Sequence, residues 1–165
     1  MDLSKNFIQD VPDVLFSNLP SLQILNLSSN KLLSLPPTIR KAKKLQRLLL
    51  SSNFLDSLPT ELGDLPSLQD LDVSDNRLTF LPDTLGFLPK LESLNLSHNY
   101  LRFLPAELDQ LQTLTALSLD SNHLLSLPCS ICKLNNLASF SLDWLKYTPF
   151  NRASLDEDGF MEFWP

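Results

Sequence analysis

Glycine is scarce in this chain, with 3 residues in 165, and cysteine, tryptophan, tyrosine and histidine occur only 2 times each. So few glycines leave little material for a loop-rich fold, which uses Gly wherever φ must turn positive. Two cysteines, Cys129 and Cys132, are too few to staple a secreted disulfide scaffold, and a reducing compartment is the simpler reading. No run approaches the roughly 20 apolar residues that cross a bilayer. The N-terminus, MDLSKNFIQD, lacks the basic start and apolar stretch of a secretory signal. The chain is therefore expected to be cytoplasmic, without membrane insertion. Positive charge is also in deficit: 13 Lys and Arg against 19 Asp and Glu leave a formal net charge of −6. That field repels phosphate backbones and anionic lipid, so nucleic acid is a poor partner and a protein bearing a basic patch a better one.

Leucine and proline are what the chain has in quantity. A hydrophobic content of 43% suffices for one domain with a continuous core, yet 12 prolines are more than a helix bundle tolerates, so something regular must place them. Leucines recur every 23 residues, at Leu22, Leu45, Leu68, Leu91, Leu114 and Leu137. Aligned on that period, LQILNLSSNKLLSLPPTIRKAKK and the four blocks after it obey LxxLxLxxNxLxxLPxx[LI], with Val73 the one aliphatic exchange in the strand core.

This pattern resembles the leucine-rich-repeat superfamily over nearly the whole chain. The Leu-Pro step after each Asn is similar to intracellular repeats of the plant Ras-group-related class and of Scribble and Erbin. The resemblance implies an α/β fold, a right-handed leucine-rich-repeat solenoid with a parallel sheet on its concave face and short 3₁₀, helical or irregular segments on its convex face. The expected organisation is a solenoid over 1–142, with a partial first repeat at 1–21, full repeats over 22–136 and a partial last repeat at 137–142, followed by a C-terminal capping segment at 143–165.

The residues give the same logic independently. Each LxLxx stretch alternates, so a short strand points Leu inward and its polar neighbours outward. One repeat cannot bury its own leucines, but a stack can, and six strands at about 4.8 Å spacing make a face about 29 Å wide. Asn30, Asn53, Asn76, Asn99 and Asn122 follow the strands, where an amide both donates to and accepts from backbone groups that have lost ladder partners; they read as a buried structural ladder. Pro36, Pro59, Pro82, Pro105 and Pro128 fix φ where the chain starts back along the convex side.

The ends depart from the pattern. Counting back from Asn6 puts Met1 within a strand, and the first repeat is one residue longer than the rest, which favours a piece of a longer solenoid over an exposed edge. At the other end Leu145 stands where Asn is due, and Trp144, Tyr147, Phe150, Phe160, Phe163 and Trp164 follow; a cap over the last repeat is expected, with a docking site or a linker as alternatives.

Outward strand positions form rows that can be read directly: Ile24, Arg47, Asp70, Ser93, Ala116, Ser139, then Asn26, Leu49, Asp72, Asn95, Ser118, Ser141. Beyond them come Ser29, Ser52, Asp75, His98, Ser121, Trp144, and then Lys31, Phe54, Arg77, Tyr100, His123. Arg77 is expected between Phe54 and Tyr100, at cation–π distance. Ser28, Ser51, Ser74 and Ser97 read as a small, flat track beside these rows. Aromatic and Arg side chains are favoured in protein hot spots, so the expected footprint is Arg47, Leu49, Asp70, Asp72, Asp75, Arg77, His98, Tyr100 and Trp144. The plain alternative is ordinary surface, with Arg47 and Asp70 an exposed ion pair worth little.

Signs of catalysis are weak. Ser97, His98 and Asp75 lie on neighbouring strands, but an open sheet offers no water-excluding cleft and no oxyanion donor. Cys129 and Cys132 form a CxxC without a second ligand pair, and Asp156, Glu157, Asp158 and Gly159 lack the alternating spacing of a calcium loop. Phosphate-loop glycines are missing, and the acceptor patterns at Asn26 and Asn95 are products of the repeat. The expectation is no enzyme, no cofactor and no metal, in an intracellular scaffold or adaptor that binds a protein on its concave face and serves signal transduction. Small GTPases and phosphatase subunits are partners the family resemblance points to, and nothing in these residues singles either out. The second reading is a recognition or regulatory region of a larger signalling enzyme or cytoskeletal assembly.

Overall fold

The structure, a computed structural model, describes residues 1–143; of the expected capping segment at 143–165, all but Asp143, and so Trp144, lies outside the described residues. Six three-residue strands, β1 (Ile24–Asn26), β2 (Arg47–Leu49), β3 (Asp70–Asp72), β4 (Ser93–Asn95), β5 (Ala116–Ser118) and β6 (Ser139–Ser141), form one parallel sheet in chain order. Their register runs Ile24, Arg47, Asp70, Ser93, Ala116, Ser139, so the same motif position from each coil stands beside its equivalent in the next. Ahead of β1, Asp2 bridges to Asn26, and the Met1 ammonium donates to the Ile24 carbonyl at 2.7 Å. There the Ser4 backbone N–H on the Asp2 carboxylate holds it below the usual Asp value.

Alternation along each strand decides the interior. Leu25, Leu48, Leu71, Leu94 and Leu117 point inward and are fully buried, together with the aliphatic residue two places on, Leu27, Leu50, Val73, Leu96 and Leu119, and with Leu45, Leu68, Leu91 and Leu114 ahead of the later strands, while Leu22 is only partly buried. The equivalent residue of β6 is Phe140, which keeps 39% of its surface exposed. The result is one unbroken apolar column shared by all coils, as a repeat fold requires.

Each of β1 to β5 is answered across the core by a short 3₁₀ helix: η1 (Pro37–Lys41), η2 (Thr60–Asp64), η3 (Asp83–Phe87), η4 (Ala106–Gln110) and η5 (Cys129–Lys133). Pro36, Pro59, Pro82, Pro105 and Pro128 stand immediately before these helices in extended backbone, with φ between −65° and −73°. From there each proline's carbonyl accepts the N–H that opens the turn, as Pro59 does from Leu62 at 3.0 Å. The first coil instead carries a short α-helix, α1 (Val14–Asn18), which buries Phe16.

Two of the three glycines have a packing reason. A Cβ at Gly63 would stand 2.2 Å from the Thr84 carbonyl oxygen, and one at Gly86 would stand 2.1 Å from that of Glu107. Absence of a side chain there lets η2, η3 and η4 stack backbone to backbone. Between η4 and η5 a side chain makes the link: Lys133 donates to the Asp109 carboxylate at 2.9 Å, a bond that, with the carboxylate's charge, holds the ammonium above the usual Lys value.

Candidate protein-interaction surface

The surface is shaped by the turn that leaves each strand. Lys5, Ser29, Ser52, Asp75, His98 and Ser121 all adopt left-handed backbone, with φ between 52° and 56°. None is glycine, and the conformation recurs in every coil whatever the side chain, which marks it as architectural. The following Asn holds it. Asn76 donates through Nδ2 to the carbonyls of Val73 and Ser74 in its own turn and of Leu50 in the preceding coil, while its Oδ1 accepts the N–H of Leu55 at 3.0 Å. Asn30, Asn53 and Asn99 repeat this set and are buried, whereas Asn122 makes the same bonds half-buried. The amide therefore ties each coil to the one before it.

With the turn fixed, the outward strand residues form an open, mostly uncharged face whose few charges, with those of the adjoining turns, are mainly acidic. Arg47 and Asp70 pair across β2 and β3 at 2.9 Å, with Arg47 half exposed. Leu49 and Asp72 lie beside them, partly exposed, and Asp72 Oδ1 accepts from the backbone N–H and the hydroxyl of Ser74. The Ser28, Ser51, Ser74, Ser97 track continues into Asp120 and Asp143, two acids that the sequence reading passes over by stopping at Ser97. Asp143 accepts the N–H of Ser121 at 2.8 Å, and Asp120 accepts the hydroxyl of Ser141. Asp75 and His98 sit exposed at the face's edge, in the left-handed turn. Ser97 itself is buried.

Arg77 and Tyr100 stand past the Asn, on the flank where the chain leaves the sheet. The expected sandwich of Arg77 between Phe54 and Tyr100 is replaced by pairs. Arg77 lies over Phe54 at 4.4 Å, Tyr100 stacks on His123 with ring centres 5.6 Å apart and planes 11° off parallel, and Lys31 lies over Phe7 at 4.9 Å. Stacking with His123 gives Tyr100 a face-to-face partner, which leaves Arg77 to its other neighbour. Phe80 and Phe103 are exposed alongside, and Tyr100, Arg102, His123 and Leu125 line a recess of about 1100 Å³ that reaches Leu142. The sequence signal for these pairs was the residue after each Asn, in a row that begins at Phe7. So the nine-residue footprint divides: Arg47, Leu49, Asp70, Asp72, Asp75 and His98 on or bordering the sheet, Arg77 and Tyr100 on the flank, and Trp144 outside the described residues.

Cys129 and Cys132 are both free and exposed in η5, and no cluster among the described residues has the His, Cys, Asp and Glu content to hold a metal ion. No helix among the described residues is long and apolar enough to cross a membrane.

A parallel sheet in chain order, answered by 3₁₀ turns around a leucine column, defines a leucine-rich-repeat solenoid. The chain belongs to the leucine-rich-repeat family: its family model matches residues 1–55 and 66–124. Among solved structures, a leucine-rich-repeat protein of Leptospira interrogans is 34% identical, with a TM-score of 0.70 over 86% of this chain and 42% of that one. A chain in the complex of the plant peptide hormone receptor RGFR1 with RGF2 is 36% identical, with a TM-score of 0.71 over 82% of this chain and 22% of that one. A chain of the Drosophila Toll and Spatzle complex is 32% identical, with a TM-score of 0.77 over 86% and 20% respectively. This chain thus spans less than half the length of each. A search of curated protein sequences finds no match. Leucine-rich-repeat domains generally mediate protein–protein interaction.

Proposed function

We propose that this chain is a protein-interaction module of a cytoplasmic scaffold or adaptor, of the Leu-Pro repeat class resembling the Ras-group-related, Scribble and Erbin proteins, and that it works by binding and not by catalysis. Its docking surface is the concave sheet face. The observation that carries this reading is the imbalance of charge there: Asp72, Asp75, Asp120 and Asp143 face outward, while the one arginine of the outward strand rows, Arg47, is already bonded to Asp70. A partner with a basic loop or helix meets complementary potential across several strands, which favours encounter and register. A GTPase or phosphatase subunit with such a patch fits the class.

The test is affinity capture from cell extract with the wild type and with Asp72→Lys plus Asp75→Lys. Neither side chain is in the core, so the chain should stay folded, with a thermal transition lowered by the loss of the Ser74 bonds at Asp72, while partners with basic patches are lost. An unchanged partner set from a folded double variant would refute the sheet as the docking face.

A further inference from the structure

The flank beyond the Asn ladder has the opposite character to the sheet. Across the positions that follow Asn30, Asn53, Asn76, Asn99 and Asn122 and precede the Leu-Pro step, the cations are Lys31, Arg77 and Arg102 and the one carboxylate is Asp56. Only two ion pairs form among the described residues, Arg47 with Asp70 and Lys133 with Asp109, so none of the three flank cations is neutralised by a salt bridge there. This holds in a chain whose net charge is −6. Exposed rings interleave with the cations: Phe54, Phe80, Tyr100 and Phe103.

Geometry adds more than charge. The Arg77 guanidinium carbon lies over the Phe54 ring at 4.4 Å, which restrains the side chain, and no hydrogen bond to a described residue occupies its N–H groups, which suit a planar, two-oxygen acceptor. Lys31 is held over Phe7 in the same manner. Lys31 and Arg77 lie two coils apart, about 10 Å at the spacing of neighbouring strands, and an extended peptide covers that span in about three residues.

We propose that this flank is a second docking surface, for an extended acidic segment of a protein partner that carries carboxylates about three residues apart with apolar side chains between them. The carboxylates pair with Lys31, Arg77 and Arg102, and the apolar residues lie on Phe54, Phe80 and Phe103. Single-stranded nucleic acid also uses cations and stacked rings. Three cations spread over four coils match carboxylates spaced about three residues apart, whereas a nucleic acid with a charge on every nucleotide would meet the neighbouring acidic residues far more often.

The probe is a fluorescein-labelled peptide of Glu, Leu and Phe with Glu at every third position, titrated by anisotropy against the whole chain. It should bind, weaken as salt rises, and lose affinity when Gln replaces Glu. Arg77→Gln plus Arg102→Gln should weaken it by about tenfold or more, the effect of losing charge-assisted bonds. Phe54→Leu, which keeps the arginine but removes its platform, should weaken it by a smaller factor, while Asp72→Asn on the sheet should not. Equal binding of the Glu and Gln peptides, full affinity in the folded double-arginine variant, or tighter binding of a single-stranded RNA than of the peptide would each overturn the proposal. Sheet and flank variants report separately, so either surface can fail without the other.

Discussion

Asn76 accepts the backbone N–H of Leu55 at 3.0 Å across two coils while its amide nitrogen donates to Leu50 in that same preceding coil. One side chain thus satisfies both polarities of a buried backbone that the strand has just released. No other uncharged side chain of that length presents a donor pair and an acceptor together, apart from Gln, whose extra methylene would displace both.

Replacing Asn76 with Ala should cost about 1–3 kcal/mol, because the buried N–H of Leu55 loses its acceptor, while the carbonyls of Leu50 and Val73 each keep one donor, in Asn53 and Asn99. Asn122→Ala should cost less, since that residue is half-buried and water can reach the groups it leaves. Urea unfolding of the two variants ranks them; equal losses would mean that burial does not set the value of the rung.

Gly63→Ala pits two effects against each other. Ala is the better helix former by up to about 1 kcal/mol. Against that, the new Cβ meets the Thr84 carbonyl at 2.2 Å, and backbone cannot swing aside as a side chain can. Overpacking of about 1–3 kcal/mol should win, and the denaturation midpoint should fall. A rise would show that η2 and η3 can separate freely.

Ser52 is exposed with φ of 56°, a conformation that Asn tolerates and β-branched residues resist. Ser52→Asn should leave stability level or raise it by a few tenths of a kcal/mol, whereas Ser52→Val should lower it by about 1–2 kcal/mol. Differential scanning calorimetry separates them, and a Val variant as stable as the wild type would contradict the left-handed turn.

Much of the architecture was legible because it repeats. Leu48, Leu71 and Leu94 announce their burial by alternation within a period, and Asn53 and Asn76 announce theirs by being the one polar constant in an apolar frame. What escaped has no periodic signature. Whether Arg77 leans on Phe54 or on Tyr100 is a choice of rotamer, settled once Tyr100 stacks on His123. The left-handed turns were hidden because Ser, Asp and His fill them where glycine would have flagged positive φ. Asp120 and Asp143 were hidden in a row that begins with four serines, and the loss of one methyl-sized position to a carboxylate changes a surface without disturbing a core.

The backward reach of each Asn also gives the molecule a mechanical grain. Pulled from its two ends, the stack should part coil by coil, because every rung shears only one pair of neighbours. Each release should pay out about 80 Å of chain, so a force trace should show evenly spaced teeth and not a single rupture.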